Sequence, residues 1–392
     1  MKLKCRPEDF RVEELPEVRP LERGHYTFYR LTKTGIGTIE AVQAIARGWN
    51  LAGRQISYGG LKDKHAVTIQ YLTIASGPMR PFQSKGIELE PLGKIERPYA
   101  PANFRGNRFR VVIRDLKPDE AKQIESTVEA ISREGLPNYF DDQRFGSVGY
   151  SRRFMGHAWL VGDHEDALKL ALIEPNPFDR SGVKKQKEIL RECWGNWAEA
   201  KGRLDRSSTR SIVTYLVDHP ADFRGAFARL RRELRTLYFS AFQSHLWNLF
   251  LARLLERQLP PDRRVLVDMK VGTFPFPVGL TPEQREAFRD LSIPLPSARN
   301  REPQGILGEG VREVLSDFSL TWDELKIKHL KDIFFSKGLR AAFSYPQEMA
   351  ASVDDDPLHP GKSTATLSFD LNKGAYATIL VKRLTEASAY RA

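Results

Sequence analysis

The order of patterns along the chain constrains its fold most strongly. Residues 1–34 and the stretch from about 335 onward alternate apolar with polar side chains, as half-buried strands do. From about 150 the apolar spacing becomes helical and the chain becomes more basic. Strand-rich ends around a helical middle predict an α+β fold in which one domain carries an inserted, mainly helical domain. The predicted domains are 1–155 with 335–392, and 156–334 as the insertion.

Single elements can be expected within this pattern. Thr38 is expected to cap a helix that ends at Gly48. A long buried helix is expected over about 240–257, and Tyr376 to Leu384 is expected to be helical rather than extended. The acidic run Asp354–Asp356 has no glycine and glutamate at calcium-loop spacing, so it is expected to be a solvated loop.

The stretch Gly59–Gln70 concentrates unusual chemistry. Two glycines permit a sharp turn, and Lys62, Asp63 and Lys64 follow directly before a β-branched run typical of a strand. Nearby cations favour the ionised carboxylate, so Asp63 is expected to be an anion. Such an aspartate can be a nucleophile, a metal ligand or a solvated turn residue, and the local sequence alone favours an ordinary turn carboxylate paired with a lysine.

The charge balance indicates the kind of partner. The 392 residues include 61 Lys and Arg against 50 Asp and Glu, a net charge of +11, which favours nucleic acid over an anionic membrane. Cys5 and Cys193 provide neither a disulfide framework nor a metal site and are expected to be reduced thiols. The sequence shows neither a signal peptide nor an apolar run that could span a bilayer, so a cytoplasmic location without membrane attachment is expected.

A second group of residues could contact RNA. The segment Asn138–Gly146 mixes aromatic, amide and cationic groups, which suits stacking and hydrogen bonding to an unpaired base. An aromatic corner of the core would have the same composition. The cluster Arg229–Arg235 has helical spacing and could follow phosphates or form a solvated face.

Cofactor motifs are missing from the sequence. It contains neither the phosphate-binding Gly-x-x-x-x-Gly-Lys pattern nor a Gly-x-Gly-x-x-Gly turn that opens a helix after a strand. The eight histidines are scattered and form no zinc-ligand spacing. We therefore expect neither a metal nor an organic cofactor.

Five segments in order resemble the TruD family of tRNA pseudouridine synthases. The most specific is Gly60–Gln70, which is similar to the family's catalytic loop, and the matches extend from residue 7 to about 380. The other four are Asp9–Glu14, Asn138–Gly146, Ser240–Ser244 and Gly374–Thr378.

This resemblance implies a pseudouridine-synthase core with a mixed sheet and an inserted TRUD domain. It implies that a uridine in tRNA, typically uridine 13 in the D arm, is converted to pseudouridine. It places Asp63 at the catalytic aspartate. Substrate contacts are implied for Phe10, Asn138, Phe140, Tyr376, Lys4, Lys62 and Arg340. The implied partner is tRNA or another structured RNA, with no obligatory protein partner.

The mechanism is left open at one step. The isomerisation breaks the C1′–N1 bond and forms a C1′–C5 bond after the base has left its stack. Asp63 could attack C1′, attack C6, or remove a ribose proton. Lys4 or Lys62 could keep it ionised, and His65 is expected to support the turn. The alternatives are a catalytically silent tRNA-binding protein, which would not need Asp63, and a nucleotide-binding enzyme, which would need ATP or a metal.

Overall fold

A computed structural model describes residues 1–389 of the chain. Among these residues, none of the helices is both long enough and apolar enough to cross a membrane. The strands are β1 (Lys2–Leu3), β2 (Phe10–Pro16), β3 (Tyr26–Thr34), β4 (Ile56–Tyr58), β5 (Val67–Ala75), β6 (Phe82–Ser84), β7 (Ile87–Ile95), β8 (Phe104–Leu116), β9 (Leu136–Pro137), β10 (Arg264–Met269), β11 (Gly272–Pro277), β12 (Ser292–Pro294), β13 (Leu339–Ala341), β14 (Phe343–Ser344), β15 (Gln347–Asp355), β16 (Ser363–Asn372) and β17 (Ser388–Ala389). The helices are α1 (Thr38–Gly48), α2 (Pro118–Glu134), α3 (Met155–Leu160), α4 (His164–Leu172), α5 (Ser181–Glu192), α6 (Trp197–Arg203), α7 (Ser208–Asp218), α8 (Phe223–Ala228), α9 (Arg232–Gln258), α10 (Pro282–Arg289), α11 (Gly305–Asp317) and α12 (Ala377–Thr385).

The chain divides into two compact units. Unit 1 is Met1–Leu136 with Ser344–Thr385, and unit 2 is Pro137–Phe343 with the described residues from Glu386 onward. The predicted boundaries at 155/156 and 334/335 therefore lie inside unit 2. Residues 137–155 contact α9, for example where Phe145 packs on His245, and Phe335 contacts the same helix. Residues 390–392, which end the predicted segment 335–392, lie outside the described residues.

Unit 1 is built on one ten-stranded mixed sheet. Its main strand order is β15-β16-β8-β2-β5-β3-β7-β6, with β1 beside β8 and β4 beside β5. The only parallel pair among the described strands of this sheet is β2 with β5, in which Arg11 pairs with Val67. Helix α1 buries Ala41 and Ile45 against Tyr29, Leu72 and other sheet residues. The mixed sheet with helices confirms the predicted α+β fold class.

An ion-pair network anchors the N-terminal segment of unit 1. The Arg114 guanidinium donates to Asp9 at 2.7 Å and to Asp356 at 3.1 Å, and all three side chains are buried. Burial raises the pKa of Asp356, but hydrogen bonds from the N–H groups of Asp115 and Leu358 and from the side chains of His359 and Arg114 outweigh burial and lower it. The prediction of a solvated acidic loop is therefore wrong for Asp356, because it is the partner of a distant buried arginine. Asp354 and Asp355 are exposed as predicted, but they lie on β15 and not in a loop.

Unit 2 is mainly helical, and α9 runs through its core. Phe242, Trp247 and Phe250 of α9 are buried, and α3 and α11 pack on this helix. The helix begins at Arg232, earlier than predicted. Arg235 is buried and donates to Asp332, so the interpretation of the whole Arg229–Arg235 cluster as a phosphate track is wrong at this position.

Candidate active site

The loop between β4 and β5 carries Asp63 and lies within unit 1. A Cβ added at Gly59 would come within 2.8 Å of the Phe104 ring and 3.0 Å of the Tyr99 ring, so this position needs glycine for close packing. No left-handed backbone angle is required there or at Gly60. The chain bends at Gly59 without a left-handed conformation, and the missing side chain lets the loop lie against the aromatic core.

The Asp63 carboxylate is held by a lysine from the N-terminal segment. Lys4 Nζ donates to Asp63 Oδ2 at 2.6 Å, and the two side chains are 34% and 33% exposed. The N–H of His65 donates to Asp63 Oδ1 at 3.4 Å. Burial raises the pKa of Asp63, but the hydrogen bond and charge of Lys4 outweigh burial and lower it. The site therefore presents an ionised carboxylate that solvent can still reach.

Lys4 also contacts Phe10, so the predicted residues 4, 10 and 63 are brought together. Its ammonium lies 4.3 Å from the centroid of the Phe10 ring, which is 7% exposed and packs edge-on against Phe109. The backbone of Lys4 has a φ of +54°, a conformation that side-chain-bearing residues adopt rarely. In this strained conformation, Lys4 contacts both the Asp63 carboxylate and the Phe10 ring.

The two lysines that flank Asp63 are directed elsewhere. Lys62 Nζ lies 3.0 Å from Glu14 Oε1 and donates to Asn107 Oδ1 at 2.6 Å, and its side chain is 10% exposed. Lys64 pairs with Glu40 at the start of α1. Of the two candidate partners for the Asp63 carboxylate, the structure selects Lys4. Lys62 is placed against the sheet as a support for the loop.

Buried polar side chains hold the loop backbone, and the sequence interpretation missed them. Thr38 Oγ1 accepts from the N–H of Lys62 at 2.9 Å and donates to Gln70 Oε1 at 2.8 Å. The N-cap of α1 is Gly37, so the prediction that Thr38 caps this helix is wrong. Lys33 Nζ donates to the carbonyl of Asp63 at 2.7 Å. A lysine in an aromatic strand was the available signal for this last contact.

Tyr376 belongs to unit 1 and precedes α12, which confirms the predicted helix. The residue is half-buried. Just before it, Lys373 lies 5.2 Å from the centroid of the Phe104 ring, and Lys62 lies 5.1 Å from the same centroid. The segment that leads to Tyr376 therefore shares an aromatic contact with the Asp63 loop.

Three other predicted residues form a cluster in unit 2. Arg340, on β13, donates through its guanidinium to the Asn138 carbonyl at 2.8 Å and to Asn138 Oδ1 at 2.8 Å. Asn138 Nδ2 donates to the Ala341 carbonyl at 3.0 Å. The Arg340 guanidinium lies 4.0 Å from the centroid of the Phe140 ring. The arginine thus fixes both the orientation of the amide and one contact of the ring.

Helix α9 holds the backbone of this cluster through a residue that the sequence interpretation missed. Asn248 is fully buried, accepts from the N–H of Phe140 at 2.8 Å and donates to its carbonyl at 2.8 Å. Trp247 packs edge-on against the Phe140 ring. A polar residue on the apolar face of a buried helix was the available signal. The predicted residues therefore form one cluster in each unit, around Asp63 and around Phe140.

The chemistry available around Asp63 is that of a positioned anion. A carboxylate kept ionised beside a lysine can act as a nucleophile or as a base. Within residues 1–389, no group of three or more histidine, cysteine, aspartate or glutamate side chains is arranged to hold a metal ion.

Known proteins resemble this chain over nearly its whole length. Residues 1–384 match the family model of tRNA pseudouridine synthase D (TruD). A Methanococcus maripaludis protein named "Probable tRNA pseudouridine synthase D 1" is 31% identical, over 98% of this chain and 99% of that protein. An Aquifex aeolicus tRNA pseudouridine synthase D is 28% identical, over 98% of each chain. The crystal structure of a Methanosarcina mazei protein described as TruD gives a TM-score of 0.78 at 26% identity, over 97% of this chain and 92% of that chain.

Proposed function

Because the chain belongs to the TruD family of tRNA pseudouridine synthases, we propose that it isomerises uridine 13 in the D arm of tRNA and that Asp63 is its catalytic residue. The family assignment confirms the resemblance found in the sequence and makes the protein an RNA-modifying isomerase. The position of the uridine and the role of the aspartate are the proposal. The cytoplasmic location and the absence of a protein partner stay predictions.

The observation that carries the proposal is the ion pair between Lys4 and Asp63. The reaction needs an anion that can approach the ribose or the uracil ring, and a carboxylate that is protonated or fully buried could not do so. The Lys4 hydrogen bond at 2.6 Å keeps the pKa of Asp63 low, while a third of the side chain remains exposed.

Three reactions are open to this carboxylate. It can attack C1′ as uracil leaves through N1, it can add to C6 of the ring, or it can take a ribose proton. In the first two cases the bond between Asp63 and C1′ or C6 breaks again, and in the third case the ribose regains its proton. In each case uracil turns, C5 bonds to C1′, and the hydrogen of C5 is lost to solvent as N1 gains a proton. Substrate and product are isomers, so the overall reaction consumes neither a reductant nor a phosphoryl donor. All three reactions require the Asp63 carboxylate.

The proposal gives the remaining residues distinct tasks. The target base must leave its stack, which costs a few kcal/mol. Stacking of the base on aromatic side chains can offset this cost. Tyr376 is half-buried and provides such a surface, whereas Phe10 is nearly covered and supports Lys4. In unit 2, Asn138 and Phe140 contact RNA and Arg340 holds both in place. Lys62 supports the loop.

The test is the variant Asp63→Asn, which keeps the size of the side chain and removes its charge. We expect tritium release from tRNA labelled at C5 of uridine to fall at least about 10³-fold, since the essential group is lost. Affinity for tRNA should change less than about threefold, because one partly exposed charge is removed. The matched control is Asp355→Asn, an exposed aspartate on β15 in the same unit. Activity of Asp63→Asn comparable to this control would refute the catalytic assignment.

The target position needs a separate test. A tRNA transcript with cytidine in place of uridine 13 should bind the enzyme but yield no pseudouridine in the D arm. Pseudouridine formed elsewhere at the normal rate would refute the choice of uridine 13 and leave the role of Asp63 intact.

A further inference from the structure

We propose that Lys33 is a positioning residue for this reaction, because its ammonium fixes the backbone that carries Asp63. The inference rests on the proposed function, since it assumes that Asp63 acts on the substrate. Lys33 lies on β3, outside all five segments that resemble the family. The side chain is 1% exposed, so it cannot contact RNA directly.

The contacts of Lys33 are concentrated on the catalytic loop. Its Nζ donates to the carbonyl of Asp63 at 2.7 Å, to that of Lys62 at 3.4 Å and to that of Ile36 at 2.8 Å. An ammonium has three hydrogens, so these three acceptors use its full donor capacity. The Asp63 carbonyl thereby becomes fixed relative to β3 by a single side chain.

The base of this side chain is rigid. Lys33 lies in the sheet between two strands, paired with Thr68 of β5 and with Ile87 of β7. The backbone of Lys33 is held in the sheet and its ammonium is bound to the loop. The side chain therefore holds the loop at a fixed position relative to the sheet. A reacting group misplaced by about 1 Å can lower the reaction rate about 10²-fold. Holding the backbone of Asp63 in place should therefore keep the reaction fast.

Burial of this ammonium is costly, which argues against a purely structural role. Lysine is rarely fully buried unless it is paired, and the three acceptors described here are neutral carbonyls. A methionine of similar length would fill the same space without a buried charge. The methionine would, however, leave the three carbonyls without their shared donor, so the buried charge is matched to the backbone of the loop.

Charged groups around Lys33 set the pH range of this contact. They are Asp63 and Lys62 on the loop and Glu40 on α1. Burial lowers the pKa of Lys33 to about 8, with Lys62 adding to the effect and the two carboxylates opposing it. Above that pH the ammonium becomes an amine with two hydrogens for three acceptors. The loop should therefore loosen as the pH rises through about 8.

The first experiment compares Lys33→Met with Lys122→Met, an exposed lysine on α2 in the same unit. For Lys33→Met we expect kcat to fall about 10- to 100-fold while Kd for tRNA changes less than about twofold, because only positioning is lost. The kcat of the wild-type enzyme should decline above pH 8, and Lys33→Met should lack this decline. The control should keep both the rate and the pH profile of the wild type.

A second measurement needs no substitution. In the wild-type protein, hydrogen exchange corrected for the intrinsic pH effect should show lower protection of amides 62–66 at pH 9 than at pH 7. Protection within β5 should stay constant. An unchanged loop, or a pH profile that Lys33→Met retains, would overturn the inference. If Asp63→Asn is inactive and Lys33→Met is fully active, only this inference fails, whereas an active Asp63→Asn removes the proposed function itself.

Discussion

The substitution Lys62→Met separates support of the loop from contact with RNA. Lys62 and Glu14 form a nearly dry ion pair, 10% and 0% exposed, with their charged atoms 3.0 Å apart. The methionine keeps the length of the side chain and removes the charge. Glu14 would then be a buried carboxylate without its cation, and Asn107 would lose a hydrogen bond of 2.6 Å.

The expected loss of stability depends on the hydrogen bonds that Glu14 keeps after the substitution. Breaking a buried pair by removing one partner costs about 3–5 kcal/mol, since the other charge stays buried. The other oxygen of Glu14 still accepts from the N–H of Tyr71 at 3.1 Å and from the Tyr99 hydroxyl at 3.3 Å. We therefore expect a loss of about 3 kcal/mol from the free energy of unfolding, at the lower end of that range.

The assay is hydrogen exchange of β5 and β8 peptides in increasing urea, which reports the stability of unit 1 by itself. Adding Glu14→Gln to Lys62→Met removes the orphaned charge, so the double variant should recover about half of the lost stability. Lys62→Met should lower kcat and leave Kd for tRNA nearly unchanged. Two results would refute the support role of Lys62. One is a loss of less than about 1 kcal/mol from the free energy of unfolding, with no recovery in the double variant. The other is a variant in which only the Kd for tRNA has changed.

Further predictions concern other contacts. Arg340→Met should raise hydrogen exchange over residues 138–146 and lower kcat/KM about tenfold, since the amide of Asn138 loses its anchor. Asn248→Leu should destabilise unit 2 by about 2–3 kcal/mol in urea-dependent exchange of α9, because it removes both buried hydrogen bonds between Asn248 and the Phe140 backbone. The pKa of Asp9 is lowered, since Arg114 outweighs the effect of burial. This stabilisation is present above the unfolded value of about 4 and is lost as the pH falls further, so Arg114→Met should flatten the acid side of the stability profile of unit 1. Affinity for tRNA should fall about 10³-fold or more between 50 and 200 mM salt if several phosphates are contacted, and a flat response would exclude phosphate contacts as the main source of affinity.

Local chemistry made part of this structure predictable. The Gly59–Gln70 stretch identified the loop of Asp63 because its charges, glycines and following strand are adjacent in sequence. The local sequence of residues 376–384 predicted helix α12 in the same way. The strand-rich ends and helical middle predicted the fold class, since side-chain periodicity is a property of each element alone.

Long-range partners could not be predicted in this way. Thr38 has the side chain of a helix cap, yet it bonds Lys62 and Gln70, which lie far along the chain. Asp356 belongs to an acidic run and is nevertheless the buried partner of Arg114. The compact units have limits that differ from the predicted domain boundaries, because residues 137–155 pack on α9, a contact that their own composition does not reveal.

The most direct test of the central claim is nucleotide-resolution mapping of pseudouridine in tRNA treated with the wild-type enzyme or with Asp63→Asn. We predict a new pseudouridine at position 13 with the wild type and none with the variant when equal fractions of the tRNA are bound. Pseudouridine at position 13 formed by Asp63→Asn would contradict the claim that the Asp63 carboxylate performs the reaction.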